Sequence, residues 1–257
     1  MTTATDAATT EAVSPAGKHW LDIATPIAVV IALGFAFFTP PEATQGEVAR
    51  ILYIHAPAAW IAYLAFGVTL VASGGYLVTK QMRWDRLAAA SAEVGVVFTG
   101  LTIALGMIWA KPTWGVWWTW DARLTLTAIM FFVYLGYLSL RRAIADPVAR
   151  ARRSAVLGML AVVQVPLVHF SVIWWRGLHQ PPTVLRPDEM QIDGILLTAV
   201  WVGVVAFSLV YAALVRRRML LARLEASIEQ ALRSESVPVA GDAVALPEVL
   251  ADRVEAS

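Results

Sequence analysis

Two histidines and a run of tryptophans carry the chemistry legible in this sequence. His55 sits in YIHAPAAW and His179 in WWRGLHQPP, and between them WGVWWTWD sets Trp114, Trp117, Trp118 and Trp120 beside Asp121. A lone histidine at a membrane boundary is ordinarily a satisfied hydrogen-bonding group. A lone tryptophan there belongs to an aromatic belt, its ring apolar and its N–H seeking a polar partner. Four of the chain's 11 tryptophans in one short stretch exceed what a belt requires. If the stretch forms a short helix along the surface, Trp114, Trp117, Trp118 and Asp121 share one face by the i, i+3, i+4 rule. That is a flat aromatic shelf edged by a carboxylate, suited to a large planar apolar ligand. Asp121 also precedes ARLTLTAIMFF and reads equally as the N-cap of the next helix, a role compatible with the first.

Two neutral imidazoles can fill the opposite axial positions of a haem iron, whose other ligands come from the porphyrin. Zinc or copper asks for more protein ligands, and no further outer-loop histidine or carboxylate cluster supplies them. The absence of cysteine excludes disulfides, thiolate metal sites and the C-x-x-C-H signature of covalent haem attachment. Any haem here must therefore be held without thioether bonds, and the cofactor expected is haem b. Arg123, Arg176 and Arg186 offer cations for its propionates, although each serves as well to anchor a helix end or to pair with Asp188.

The elements that must position these groups follow from composition. Of 257 residues, 58% are hydrophobic, and the mean hydropathy is +0.64. A bilayer core of roughly 30 Å asks for about 20 apolar residues per helical crossing. Six segments meet this: Trp20 to Phe38, Ala56 to Val78, Leu87 to Trp109, Leu124 to Leu140, Ser154 to Trp175 and Ile195 to Val215. The fold class expected is all-α, a six-helix transmembrane bundle with short loops. The first segment lacks a small-residue cleavage motif and reads as a retained anchor.

Lys80, Arg83 and Arg86, then Arg141, Arg142, Arg150, Arg152 and Arg153, then Arg216, Arg217, Arg218 and Arg223 load alternate connections with positive charge. These connections face the cytoplasm, with both termini. The loops bearing His55, the tryptophans and His179 then share the outer face, while His19 lies on the inner one. Residues 1–19 read as a cytoplasmic arm, 20–215 as the bundle with its Trp-rich loop at 110–123, and 216–257 as a cytoplasmic tail. In that tail Leu221, Leu224, Ile228 and Leu232 recur at near-helical spacing, and from Ser234 the chain turns acidic and Pro-interrupted, a composition expected to be disordered. His169 lies at membrane depth, and Glu93 is expected to reach headgroups or a basic segment. No P-loop is present, so any ATP-driven step needs a separate subunit. The net charge of +1 points to no nucleic-acid partner.

WGVWWTWDARLT, YIHAPAAW and HFSVIWWRGLHQ together resemble the CcmC family, members of the tryptophan-rich haem-handling membrane proteins named for the WWD signature. The resemblance covers nearly all of residues 20 to 215. It implies a protein of the bacterial inner membrane that holds haem at the periplasmic face and presents it to the haem chaperone CcmE during cytochrome c maturation. By position, His55 and His179 are then the axial ligands, and Trp114, Trp117, Trp118, Trp120 and Asp121 form the docking surface. Arg123 partners a propionate or the chaperone. The partners implied are CcmE, the ABC subunits CcmA and CcmB, and the small membrane protein CcmD. Ile173 and Arg176 depart from the family pattern, replacing an acidic and a small uncharged residue. The alternative is a haem-exporting membrane subunit of an ABC-type complex, for which Glu93, Gln164 and His169 are the polar candidates. Catalysis of haem attachment to the chaperone is a third possibility, but no nucleophile with a general base is recognisable, which favours a transfer platform.

Overall fold

The computed structural model describes residues 19–175, 177–179 and 194–236. Their elements are α1 (Trp20–Phe38), a 3-10 turn (Glu47–Ile51), α2 (Leu52–Thr79), α3 (Met82–Trp114), α4 (Ala122–Ala143), α5 (Pro147–Ala161), α6 (Gln164–Trp174) and α7 (Gly194–Ser236). With α5 and α6 taken as one span, six are long and apolar enough to cross a membrane. The protein is an all-α, multi-pass membrane protein. The chain divides at Met219, and the second unit, from Leu220, is described only as the end of α7, with Leu221, Leu224, Ile228 and Leu232 exposed.

Within the first unit α2 is the central helix. Its buried residues Ala58, Ile61, Ala62, Ala65, Phe66, Thr69, Ala72, Ser73 and Tyr76 recur at helical spacing. Most are small, which lets neighbouring backbones approach as membrane packing requires. α3 answers with Ala88, Ser91, Ala92, Gly95 and Thr99, and Tyr134 of α4 stacks on Phe66 with ring centroids 3.5 Å apart. By contrast α1 leaves Ile23, Ile27, Val30, Ile31 and Phe37 exposed, an apolar surface that a bilayer would solvate. Arg50 in the 3-10 turn ties off the end of α1 by donating to the carbonyls of Ala36, Phe37 and Thr39 at 2.8, 2.6 and 2.9 Å, satisfying carbonyls that a helix end leaves without partners.

Charges gather at the end of the bundle away from the tryptophan loop. Arg141 holds buried Asp85 with both terminal guanidinium nitrogens, Nη1 and Nη2. Glu93 pairs with Arg218 and Asp22 with Arg217, so Glu93 meets the basic segment after the last span. His19 caps α1 there, its Nδ1 accepting from Leu21 N–H and its own N–H donating to Asp22.

Several boundaries differ from the sequence reading, and α7 runs on past Val215 to Ser236. α3 runs on through Lys111 and Pro112 to Trp114, because the stop signal is Gly115, whose φ of 76° is the left-handed conformation glycine adopts without strain. α5 begins at Pro147, capped by Asp146, whose carboxylate accepts from Ala149 N–H at 2.6 Å; its first turns carry Arg150, Arg152 and Arg153, which an apolar count passes over. The fifth span is also not one helix. Pro166 has no N–H to give to the Val162 carbonyl, Val165 N–H bonds there at 2.9 Å instead, and the helix restarts at Gln164.

Candidate functional site

The site is assembled at one end of the bundle from the first turns of α2 and α4, the last turns of α3 and α6, and residues 177–179. His55 faces α3, where Gly106 opens room for it: a Cβ at that position would stand 3.2 Å from the imidazole Cε1. The Trp109 indole meets the same ring edge-on, with centroids 5.7 Å apart. Among the described residues the buried His55 Nδ1 has no side-chain hydrogen-bond partner, and the Thr102 backbone is a hydrogen-bonding neighbour of the ring.

His179 is oriented differently. Its Nδ1 lies 2.9 Å from Asp121 Oδ2, while Asp121 Oδ1 accepts from Leu124 N–H at 2.9 Å and so caps α4. One carboxylate fixes both the helix entrance and the imidazole. Because an ionised carboxylate only accepts, Nδ1 carries the proton and Nε2 keeps its lone pair. Trp114 packs edge-on against the His179 ring with centroids 4.9 Å apart. His55, His179 and Arg123 lie within electrostatic range of one another. The Arg123 guanidinium donates to the His169 carbonyl at 2.9 Å, and its buried Nε has no partner among the described residues.

The surface helix expected for the tryptophan stretch does not form. Trp114 is the last residue of α3, and after left-handed Gly115 the chain runs without helix to the Asp121 cap. The single shared face of Trp114, Trp117, Trp118 and Asp121 is therefore replaced by a folded loop. In it Trp118 and Trp120 meet edge-on at 5.7 Å, Trp117 and Trp120 are exposed, and the buried Trp118 N–H has no acceptor among the described residues. Trp109, read from sequence as the end of the third span, lies inside α3. Its contact with His55, and the packing of His55 on Gly106, had no signal in the spacing. Arg176, Arg186 and Asp188 lie outside the described residues. His169 packs its ring edge-on against Tyr63 and Phe170, and its carbonyl accepts from Arg123. Among the described residues no three histidines or carboxylates gather as a metal cluster would require.

The chain matches the CcmC family, described as Heme exporter protein C, over residues 2–234. It belongs to that family. Relatives named Heme exporter protein C include those of Bradyrhizobium diazoefficiens, 40% identical over 195 residues, covering 76% of this chain and 74% of that one. In Haemophilus influenzae identity is 37% over 202 residues, 78% and 82% of the two chains. In Escherichia coli K12 it is 36% over 203 residues, 78% and 81%.

Burial holds the His179 imidazole below its ordinary value, outweighing the Asp121 carboxylate, which favours the proton, while the charge on Arg123 works against it. The native state thus binds fewer protons than the unfolded chain, whose histidine titrates near about 6.5. The stability from this group is present above that pH and is lost as the pH falls toward the lower native value. A ring-proton NMR titration of the purified protein is expected to give His179 a midpoint below about 6.5, and Asp121→Asn is expected to lower it further.

Proposed function

We propose that this chain binds haem b, without covalent attachment, at the periplasmic face of the bacterial inner membrane and presents it to the chaperone CcmE during cytochrome c maturation. The observation carrying this reading is that two imidazoles from distant segments and the Arg123 guanidinium gather within electrostatic range beside a tryptophan loop. His55 and His179 are the iron ligands. Asp121 keeps the His179 proton on Nδ1, so that Nε2 faces the cargo with its lone pair, the usual arrangement behind a metal-bound histidine. Arg123 pairs with a propionate through the Nε that has no partner among the described residues.

The residues fit a planar apolar cargo. Trp117 and Trp120 expose indole faces, and Trp114 walls the ring of His179. Each Å² of apolar contact is worth about 25 cal/mol. Most of the affinity then comes from the porphyrin face, and the histidines set position. A shallow site ringed by exposed indoles also lets a partner reach the haem edge, which suits handover to CcmE. CcmA and CcmB, with CcmD, are the assembly partners, since ATP-driven work needs subunits other than this one. Glu93, paired with Arg218 at the other end of the bundle, is not available to line a route for haem.

Purified protein supplied with haem should give the spectrum of a six-coordinate, low-spin, bis-imidazole complex, and adding CcmE should move the haem onto the chaperone. A five-coordinate spectrum, or none, removes the ligand assignment; a six-coordinate one without transfer removes the presentation step.

A further inference from the structure

The two histidines are held by different means. Asp121 fixes the His179 ring by a hydrogen bond, but among the described residues the buried His55 Nδ1 has no side-chain partner of that kind. Beyond the Thr102 backbone, which neighbours the ring, the direction of the His55 imidazole is set by packing, and two residues of α3 supply it. Gly106 lets the ring lie close against the helix, 3.2 Å from where a methyl would stand, and one turn on, the Trp109 indole closes its side. An indole can serve as a wall only if its own rotamer is held. Trp109 Nε1 donates to Gln45 Oε1 at 2.8 Å, a bond spanning 64 residues of chain.

Gln45 is itself well placed to hold it. Its N–H donates to Glu42 Oε2 at 2.6 Å, Gly46 N–H donates to the Glu42 carbonyl at 2.8 Å, and Arg50 clamps the same loop to the end of α1. The loop between α1 and α2 thus forms an arm with an amide at its tip, and the amide oxygen accepts the indole hydrogen bond. We propose that Gln45 is a positioning residue for the His55 imidazole, acting through Trp109. The proposal rests on His55 being an iron ligand. A ligand placed by steric walls needs those walls as much as one placed by a carboxylate needs the carboxylate.

The test uses the full-length protein in detergent micelles. Gln45→Leu removes the acceptor at similar size, Trp109→Phe removes the donor while keeping an aromatic ring, Gln45→Glu keeps an acceptor, and Gly106→Ala crowds the imidazole directly. With haem supplied, Gln45→Leu, Trp109→Phe and Gly106→Ala should raise the high-spin fraction severalfold over wild type, with exogenous imidazole restoring the low-spin form. Gln45→Glu should stay near wild type. A second measurement needs no haem: in histidine-labelled protein, Gln45→Leu should shift the His55 ring-carbon NMR signal and leave that of His19 unmoved. If Gln45→Leu lowers thermal stability yet leaves both the spin state and the His55 signal unchanged, Gln45 only braces its loop and the proposal is overturned. If wild type shows no six-coordinate haem, the ligand assignment fails separately, and the haem-free signal alone decides whether Gln45 positions the ring.

Discussion

His179→Ala is expected to abolish the six-coordinate haem spectrum, and Asp121→Asn to lower haem affinity by about 10- to 100-fold, the range typical of removing the partner that orients a metal-bound histidine. The second variant is the more informative. Asparagine caps helices about as well as aspartate, so α4 should keep its entrance. Yet the amide has one oxygen where the carboxylate has two, and in this protein both are used, Oδ1 by Leu124 N–H and Oδ2 by His179. If the amide oxygen keeps the cap, its NH2 faces His179 Nδ1, which must then accept, and the proton moves to Nε2. That is the wrong tautomer for ligation, the fault known from a carboxylate-to-amide change behind a catalytic histidine. Asp121→Ala should lose the same affinity and a further ~1 kcal/mol of stability with the cap. Haem titration followed by absorbance, beside thermal unfolding of the haem-free protein, separates the two effects. If Asp121→Asn binds haem as wild type does, the hydrogen bond to His179 has no part in ligation.

The elements most legible in the sequence were those governed by one dominant force. A run of apolar residues must be shielded from water, and α1 was read to its ends for that reason. Asp121 could be read as a cap because capping is local. What could not be read depends on where backbone groups find partners. Pro112 and Lys111 argue for an ending, but with the left-handed turn waiting at Gly115 the helix continues past both. The tryptophans were aligned on one face by assuming helical spacing, which Gly115 breaks after Trp114. The division between α5 and α6 turns on a single missing N–H at Pro166. Of the site, the sequence indicated residue types and a shared end of the bundle, but not that Asp121 serves α4 and His179 at once. Nor did it indicate that Gly106 and Trp109 enclose His55, because contacts between helices are set by packing across the bundle and leave no period along the chain.

Arg141→Ala is expected to cost about 3–5 kcal/mol, the penalty for stripping a buried charge of its partner. Asp85 is 4% exposed, and Arg141 reaches both its oxygens, Nη1 to Oδ1 at 2.5 Å and Nη2 to Oδ2 at 2.8 Å, while lying 5.8 Å from the Tyr137 ring centroid. Water cannot replace that pairing on the buried side. Arg141→Lys should recover only part of the loss, since an ammonium cannot match the two-pronged geometry. The double variant Asp85→Asn with Arg141→Met should be far milder than Arg141→Ala alone, because it removes both charges and with them the desolvation that their attraction offsets. Thermal or denaturant unfolding in detergent reads all three. The pair joins the start of α3 to the end of α4, at the opposite end of these helices from Trp114 and Asp121, so its loss should add independently to changes at the histidines. Arg141→Ala protein that remains folded should therefore keep the wild-type haem spectrum, and a changed spectrum would mean that α3 and α4 transmit strain along their length to the site.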